Sequence, residues 1–270
     1  MTQSIINIDL TAADRTVSFQ LSIDSDCLSD RELMNAIKLG GSVEPEVCHL
    51  MMRVMRPGDY AIDGGANIGF FTVLLSKLVG KDGCVLSVEP GQNNLYKLEE
   101  NIRLNKLSNV EVVDQPLWDK YEMVKLYLCE DGGKNSLAAH EGTRGSSDIT
   151  TVVLDDYLDL RRRLRLLKLD IEGAEEKALR GALSFLNETH HCPYIVAELN
   201  IEALPKFNSS PASICDFMRE RGYNLFLLHP NGALPTYVPR RTKVQPTRLN
   251  WNVLFSTFEA VGAAWPEIVI

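Results

Sequence analysis

The sequence predicts an α/β protein built on a seven-stranded, mostly parallel sheet with helices on both faces, plus a small N-terminal cap. Three observations carry that expectation. From Asp59 onward, short apolar runs alternate regularly with helical patterns. The run Tyr60-Ala61-Ile62-Asp63-Gly64-Gly65-Ala66-Asn67-Ile68-Gly69-Phe70-Phe71 reads as a buried strand, a sharp glycine turn and the start of a helix. Acids recur at predicted C-terminal strand ends, at Asp63, Glu89, Asp114, Asp170 and Glu198, and that rim is where open α/β sheets bind ligands.

Residues 4–10 and 16–23 read as two strands around the turn Ala13-Asp14-Arg15, because Val17, Phe19, Leu21 and Ile23 alternate with polar residues. Ser29-Asp30-Arg31-Glu32 is a capping signal for a helix through Leu39, followed by Gly40-Gly41. A second helix, Glu46 to Met55, is stopped by Pro57-Gly58. Residues 1–56 are therefore expected to form a strand pair and helical cap, and residues 57–270 the main domain. There the strands fall at 59–63, 84–88, 110–113, 165–169, 194–199, 223–228 and 251–256, with helices at 69–79, 93–105, 174–187 and 211–221. The segment 121–150 interrupts the alternation. Met123 to Cys129 suits an extra strand, Glu130 to Ser136 a turn, and Glu141 to Ser147 a loop that is either a substrate lid or an ordinary long surface loop. The apolar tail from Val253, broken by Glu259, Pro266 and Glu267, reads as a strand and a docked terminus.

Composition narrows the function. A hydrophobic fraction of 45% with 24% charged residues is that of a globular protein with a sizeable core. A net charge of −8 argues against a nucleic-acid backbone as partner, since such surfaces need a positive footprint. The six cysteines form no C-x-x-C pair, which suits free thiols in the cytoplasm better than a disulfide framework or zinc. No uncharged run is long enough to span a bilayer.

The glycine turn is the centre of the reading. Bare backbone there can approach a ligand closely, and the helix start aims unpaired N–H groups at it. Its glycines are Gly64, Gly65 and Gly69, so the G-x-G-x-x-G spacing of a dinucleotide site is absent, and no P-loop lysine follows. A carboxylate at Asp63 would repel a pyrophosphate and attract an ammonium or sulfonium. S-adenosylmethionine carries both cations and no phosphate. About twenty residues on, Glu89 ends the strand Cys84–Val88, where an acid can accept hydrogen bonds from both ribose hydroxyls.

On these residues the chain resembles the FkbM family of S-adenosylmethionine-dependent methyltransferases, from about Glu44 to about Tyr223. Three motifs carry the likeness. The first is Pro57-Gly58-Asp59 leading into Asp63-Gly64-Gly65-Ala66-Asn67-Ile68-Gly69. The second is Thr151-Val152-Val153-Leu154-Asp155-Asp156, and the third is Lys168-Leu169-Asp170-Ile171-Glu172-Gly173-Ala174-Glu175. The resemblance implies a Rossmann-like class I methyltransferase fold and O-methylation of a hydroxyl on a sugar, glycolipid, polyketide or other natural product. It implies further that Asp63, Gly65 and Asn67 line the methionine end of the cofactor, that Gly69 starts the helix, and that Glu89 holds the ribose. Gln115 and Leu117 then contact the adenine, with Trp118 either stacking on it or covering the core.

An alcohol needs a base, and Asp170, Glu172 and Glu198 are the candidates, because their strand ends must lie beside the transferable methyl. Hydrogen bonding to neighbouring loops is the competing role for each. Asp170, Glu198 and Asn200 are also oxygen ligands on adjacent strand ends, a set that would suit Mg²⁺. The catechol-type pattern has a lysine shortly after its first aspartate, whereas Gly173 follows Glu172 here, so no metal is expected. His229, after the strand Asn224–Leu228, suits a turn better than a base. Arg240, Arg241, Lys243 and Arg248 suit a solvated loop better than a substrate-phosphate site. Two other classes stay open: an NAD-dependent oxidoreductase on a similar sheet, and a methyltransferase-like binding module without turnover. The expected partner is a small-molecule or glycan hydroxyl acceptor, and a homodimer is compatible with the sequence.

Overall fold

The computed structural model describes residues 3–38, 42–129, 135–158, 164–187, 192–240, 242 and 250–266. The expectations for residues 39–41, for the turn residues 130–134, for Arg241, Lys243 and Arg248, and for the last residues of the tail lie outside these.

Strands β1 (Gln3–Ala12) and β2 (Arg15–Asp24) pair antiparallel from Gln3↔Asp24 to Ala12↔Arg15. The turn is two residues rather than three. Ala13 and Asp14 sit at φ 49° and 58°, the left-handed pair whose twist matches a tight hairpin. Alternation buries Ile8, Leu10, Phe19, Leu21 and Ile23 on one face. Helices α1 (Leu28–Lys38) and α2 (Pro45–Val54) follow, the latter started by Pro45, whose missing N–H costs nothing in a first turn.

The main sheet opens with β3 (Tyr60–Gly64), which is buried at every position, and α3 (Phe70–Val79). It continues with β4 (Cys84–Val88), α4 (Gln92–Leu104) and β5 (Val110–Val113). The excursion that follows holds β6 (Leu117–Trp118), β7 (Met123–Cys129), β8 (Thr143–Thr150) and β9 (Val152–Val153). The chain then returns through β10 (Leu164–Leu169), α5 (Glu175–Arg180), α6 (Leu183–Asn187) and β11 (Tyr194–Glu198). Helix α7 (Pro211–Glu220), β12 (Asn224–Leu227), β13 (Thr236–Val238), β14 (Asn252–Ser256) and α8 (Phe258–Ala264) complete it.

The strand order is β13-β12-β14-β11-β10-β3-β4-β5. Strands β5, β4, β3, β10 and β11 run parallel, and β14 lies antiparallel between β11 and β12. This is the strand arrangement of a Rossmann-like class I methyltransferase. The chain winds outward from β3 to β5 and then crosses back to β10, so the strand order reverses between β3 and β10. The crevice at their C-terminal ends is where such sheets hold ligands.

The N-terminal hairpin shares one hydrophobic cluster with α3, and Phe19 meets Phe70 edge-on at 5.7 Å. Asparagines on α4 satisfy the backbone edge of β2. Asn101 accepts from Ser22 N at 2.6 Å and donates to Ser22 O at 3.2 Å, and Asn105 does the same for Gln20 at 3.0 and 2.6 Å.

Besides the small unpredicted pair β6 and β9, four elements among the described residues differ from the sequence expectation. The sheet has eight strands, because Thr236–Val238 adds an edge strand too short to show a period. Thr143–Thr150 is a strand rather than a loop; it is almost wholly exposed and polar, so no alternation marks it. The helix expected at 174–187 is two helices, broken where Gly181 lies so close to Trp118 that a Cβ would stand 2.0 Å from its carbonyl oxygen. The tail after β14 forms helix α8, capped by Thr257, whose hydroxyl accepts from Ala260 N at 3.1 Å.

Candidate active site

The ends of β3, β4 and β10 are laced together at the switch point. The N–H groups of Gly65 and Ala66 both donate to Val88 O at 3.0 Å, and Asp170 N donates to Gly64 O at 3.0 Å. Gly65 has φ +79°, and a Cβ there would stand 1.8 Å from the Asp170 carbonyl oxygen, so only glycine lets the turn pass this strand end. Asn67 follows in the left-handed region at φ 51°, which turns its N–H toward Glu89. Gly69 starts α3 at φ +95° and packs against Leu98, away from the crevice.

Glu89 is buried and fixed at both oxygens. Its Oε2 accepts from Asn67 N at 2.9 Å, and its Oε1 accepts from Gly91 N at 2.8 Å and from the Asn94 amide at 3.5 Å. Burial pushes its carboxyl up to about 7, against the opposing pull of these donors. Asp63 lies deeper than the sequence suggests. It is fully buried, its Oδ2 accepts from the Thr72 hydroxyl at 2.7 Å, and its Oδ1 has no hydrogen-bond donor. Burial raises its pKa, opposed by Lys168 and Thr72.

Lys168, which the sequence places in a strand and at the head of the third motif with no role of its own, is central in the fold. It is 1% exposed, with Nζ 3.2 Å from Asp170 Oδ2, 3.8 Å from Asp63 Oδ1 and 4.8 Å above the Phe71 ring. Burial works against its charge, but Asp170, Asp63 and Glu44 together hold it above the usual lysine range. Glu44 caps α2 from the left-handed region, and burial pushes its carboxyl up to about 7.

The turn, Glu89 and the loop after β10 wall a pocket of about 690 Å³, counting its open mouth. Gly65, Asn67, Glu89, Leu117, Asp170 and Glu172 all line it. Asp63, Gly69, Gln115 and Glu198 do not. The pocket is roofed by residues that sequence reasoning missed. Leu126 comes from β7, and Asn135, Ser136 and Leu137 come from the segment between β7 and β8. Asn135 is pinned there because its Oδ1 accepts from Cys129 N at 2.9 Å. Asn94, on α4, closes the floor beside Glu89. The pocket's described wall carries three acids, Glu89, Asp170 and Glu172, and no lysine, arginine or histidine.

The loop after β10 owes its shape to Glu175. Its Oε1 accepts from Ile171 N at 3.0 Å and Gly173 N at 3.2 Å, while its Oε2 is buried without a donor. Burial pushes this carboxyl up to about 7. Glu172, at φ 55°, and Gly173, at φ 102°, depend on that clamp to hold left-handed backbone beside the pocket. Glu175→Ala is therefore expected to cost about 1–3 kcal/mol, the penalty for stranding buried donors. Thermal melting, at roughly 2–4 °C per kcal/mol, reads it.

Glu198 ends β11, where burial, Asp170, Glu172 and further carboxylates push it up to about 10. Asn200 caps the following turn, its Oδ1 accepting from Glu202 N and Ala203 N at 3.0 Å each, which occupies the oxygen a metal would need. Among the described residues no three His, Cys, Asp or Glu side chains are arranged to hold a metal ion. Trp118 covers the core, edge-on to Phe207 at 5.7 Å, with its indole N–H on Glu122 at 2.5 Å. His229 bonds the Thr236 hydroxyl at 2.8 Å, across the turn between β12 and β13.

No curated protein matches the sequence. Solved structures with a similar chain path include an rRNA methylase from Streptococcus thermophilus, at 10% identity over 78% of this chain and 93% of that one, with a TM-score of 0.45. A SAM-dependent methyltransferase from Aquifex aeolicus matches at 16% identity over 78% and 88%, with a TM-score of 0.40. A precorrin-6y C5,15-methyltransferase from Geobacter metallireducens GS-15 matches at 14% identity over 78% and 87%, with a TM-score of 0.42. The family model described as the methyltransferase FkbM domain matches residues 63–225, a span that starts at the Asp63 turn and takes in Glu89, the loop after β10 and Glu198. That match covers more than half of the sequence, and the chain belongs to the FkbM methyltransferase family.

Proposed function

We propose that the protein is an S-adenosylmethionine-dependent O-methyltransferase acting on a hydroxyl of a sugar, glycolipid, polyketide or other natural product. The observation that carries this reading is the charge of the pocket at the switch point: three acids and no basic side chain in its described wall. A pyrophosphate would meet only repulsion there, which argues against a nicotinamide dinucleotide, whereas an ammonium and a sulfonium are attracted. Gly65 leaves bare backbone where a side chain would fill the approach, and Glu89 offers a carboxylate aligned by Asn67 and Gly91. These residues fit the cofactor. Glu89 would take the ribose hydroxyls, Gly65 and Asn67 the methionine end, and Leu117 the adenine. When bound, S-adenosylmethionine supplies a methyl whose C–S bond breaks, its electron pair going to sulfur as the acceptor oxygen bonds to carbon.

The chain's own task is to hold the hydroxyl in line and take its proton. Proximity and orientation can supply roughly 7–11 kcal/mol of such a barrier, and a positioned base roughly 10²–10⁴-fold more. Asp170 is the base in this reading, because its carboxylate is half-buried at the crevice and oriented by Lys168 at 3.2 Å. Glu198 lies outside the pocket lining, so Asp170 is better placed to take the proton. Glu172 remains a wall residue of the pocket. The acidic net charge of −8 supports a small-molecule or glycan acceptor over a nucleic acid. Among the described residues no helix is long and apolar enough to cross a membrane.

The direct test is incubation with methyl-labelled S-adenosylmethionine and a panel of sugar, glycolipid and polyketide alcohols. Label in a base-stable ether linkage is expected; label recovered only on nitrogen, carbon or a base-labile ester contradicts methylation of a hydroxyl. A pH dependence follows as well. Ribose hydroxyls donate to the ionised Glu89, which in the free protein is protonated below about 7. S-adenosylhomocysteine affinity should therefore rise with pH, by up to about tenfold per pH unit below that value, and level off above it. Glu89→Gln should flatten the profile, and calorimetry between pH 5.5 and 8.5 checks both.

A further inference from the structure

A second cleft, about 1000 Å³ with its open mouth, lies between the α1–α2 region and the turn that follows β3. It shares Gly65, Asn67 and Asp170 with the first pocket. These three residues form the wall that the two spaces have in common. From the charge of this cleft we infer that it is the acceptor site, and that it takes hydroxyl compounds that are neutral or carry an ammonium while excluding phosphorylated and carboxylated ones. The inference rests on the reading that the first pocket holds S-adenosylmethionine.

Four acids face the cleft, Asp30, Glu32, Glu44 and Asp170, against a single described cation, Lys168. That lysine offers an incoming anion little. It is 1% exposed, and Asp170, Asp63 and Glu44 already surround it. Asp30 is matched by Lys97 Nζ at 2.8 Å and by Asp24 N at 2.7 Å, so it is locked into the wall. Glu32 is exposed on α1, and Glu44 is held by the Asn252 amide at 3.0 Å. These two leave the described wall of the cleft net negative, and an anionic acceptor entering it would lose hydration for repulsion. Leu33, Val43, Ile68 and Phe71 supply apolar wall between the acids, the surface on which the C–H face of a sugar or a reduced polyketide can lie.

The test uses the whole protein and needs no natural acceptor. Three cofactor analogues are made in which a tertiary amine replaces the sulfonium and carries, in place of the methyl, a propyl chain ended in ammonium, hydroxyl or carboxylate. Calorimetry compares them with S-adenosylhomocysteine. The ammonium- and hydroxyl-ended chains should bind at least about tenfold more tightly than the carboxylate-ended one. Glu44→Gln should narrow that ratio. Glu32→Gln, at an exposed position that leaves folding intact, should narrow it independently. Equal binding of all three chains, with S-adenosylhomocysteine bound, overturns the acceptor assignment alone. Failure of S-adenosylhomocysteine to bind overturns the cofactor reading, and the acceptor inference with it.

Discussion

Gly65→Ala is expected to abolish cofactor binding, lowering S-adenosylhomocysteine affinity more than about 100-fold, and to lower the melting temperature measurably. Two effects combine. The backbone sits at φ +79°, where an L side chain costs about 1–2 kcal/mol. The added carbon would also stand 1.8 Å from the Asp170 carbonyl oxygen, which is backbone and cannot rotate aside. The turn after β3 or the end of β10 must therefore shift. Either movement breaks the hydrogen bonds of Gly65 and Ala66 to Val88 O, or that of Asp170 N to Gly64 O, and opens the wall common to both cavities. Calorimetry and thermal melting read the two consequences separately. Affinity within threefold of the parent protein would mean that the turn does not approach the ligand.

Glu89→Ala is the second large effect. Charged hydrogen bonds contribute roughly 1.5–3 kcal/mol each, so losing even one of the two to the ribose should weaken S-adenosylhomocysteine at least roughly 10–150-fold. The same change strands the N–H groups of Asn67 and Gly91, which now donate to it at 2.9 and 2.8 Å, so a loss of stability accompanies the loss of affinity. Glu89→Gln separates the two: it keeps the size and one acceptor oxygen but loses the charge. It should lie between the parent and Glu89→Ala in both measurements. A Glu89→Ala protein that binds as the parent does would remove Glu89 from the cofactor site.

The β3 turn was legible because everything that defines it is local. A buried strand, glycines and an asparagine that tolerate positive φ, and the apolar start of a helix all fall within twelve consecutive residues, Tyr60 to Phe71. Glu89 was legible for the same reason, as an acid one residue past a short apolar strand. The roof was not. Asn135 and Ser136 reach the pocket only because β7 and β8 pair over it, and β8 carries no hydrophobic period. Lys168 looked like one polar residue within an apolar strand. Its significance comes from Asp63 on the neighbouring strand, Asp170 two residues on and Glu44 more than a hundred residues away in sequence, which meet only in the folded protein. Asp63 shows the opposite case. Its position at the end of β3 was correct, but Thr72 one turn into α3 draws its carboxylate into the core. Sequence spacing gives the strand end and not the side chain's direction.

The central claim is that the acid-lined pocket at the switch point takes a sulfonium cofactor. Calorimetric titration of the purified protein with S-adenosylhomocysteine, run beside NAD, tests it most directly. One-to-one binding of S-adenosylhomocysteine is expected, with a dissociation constant on the order of micromolar, about −8 kcal/mol, and no heat from NAD. Binding of NAD, or of neither ligand, would contradict it.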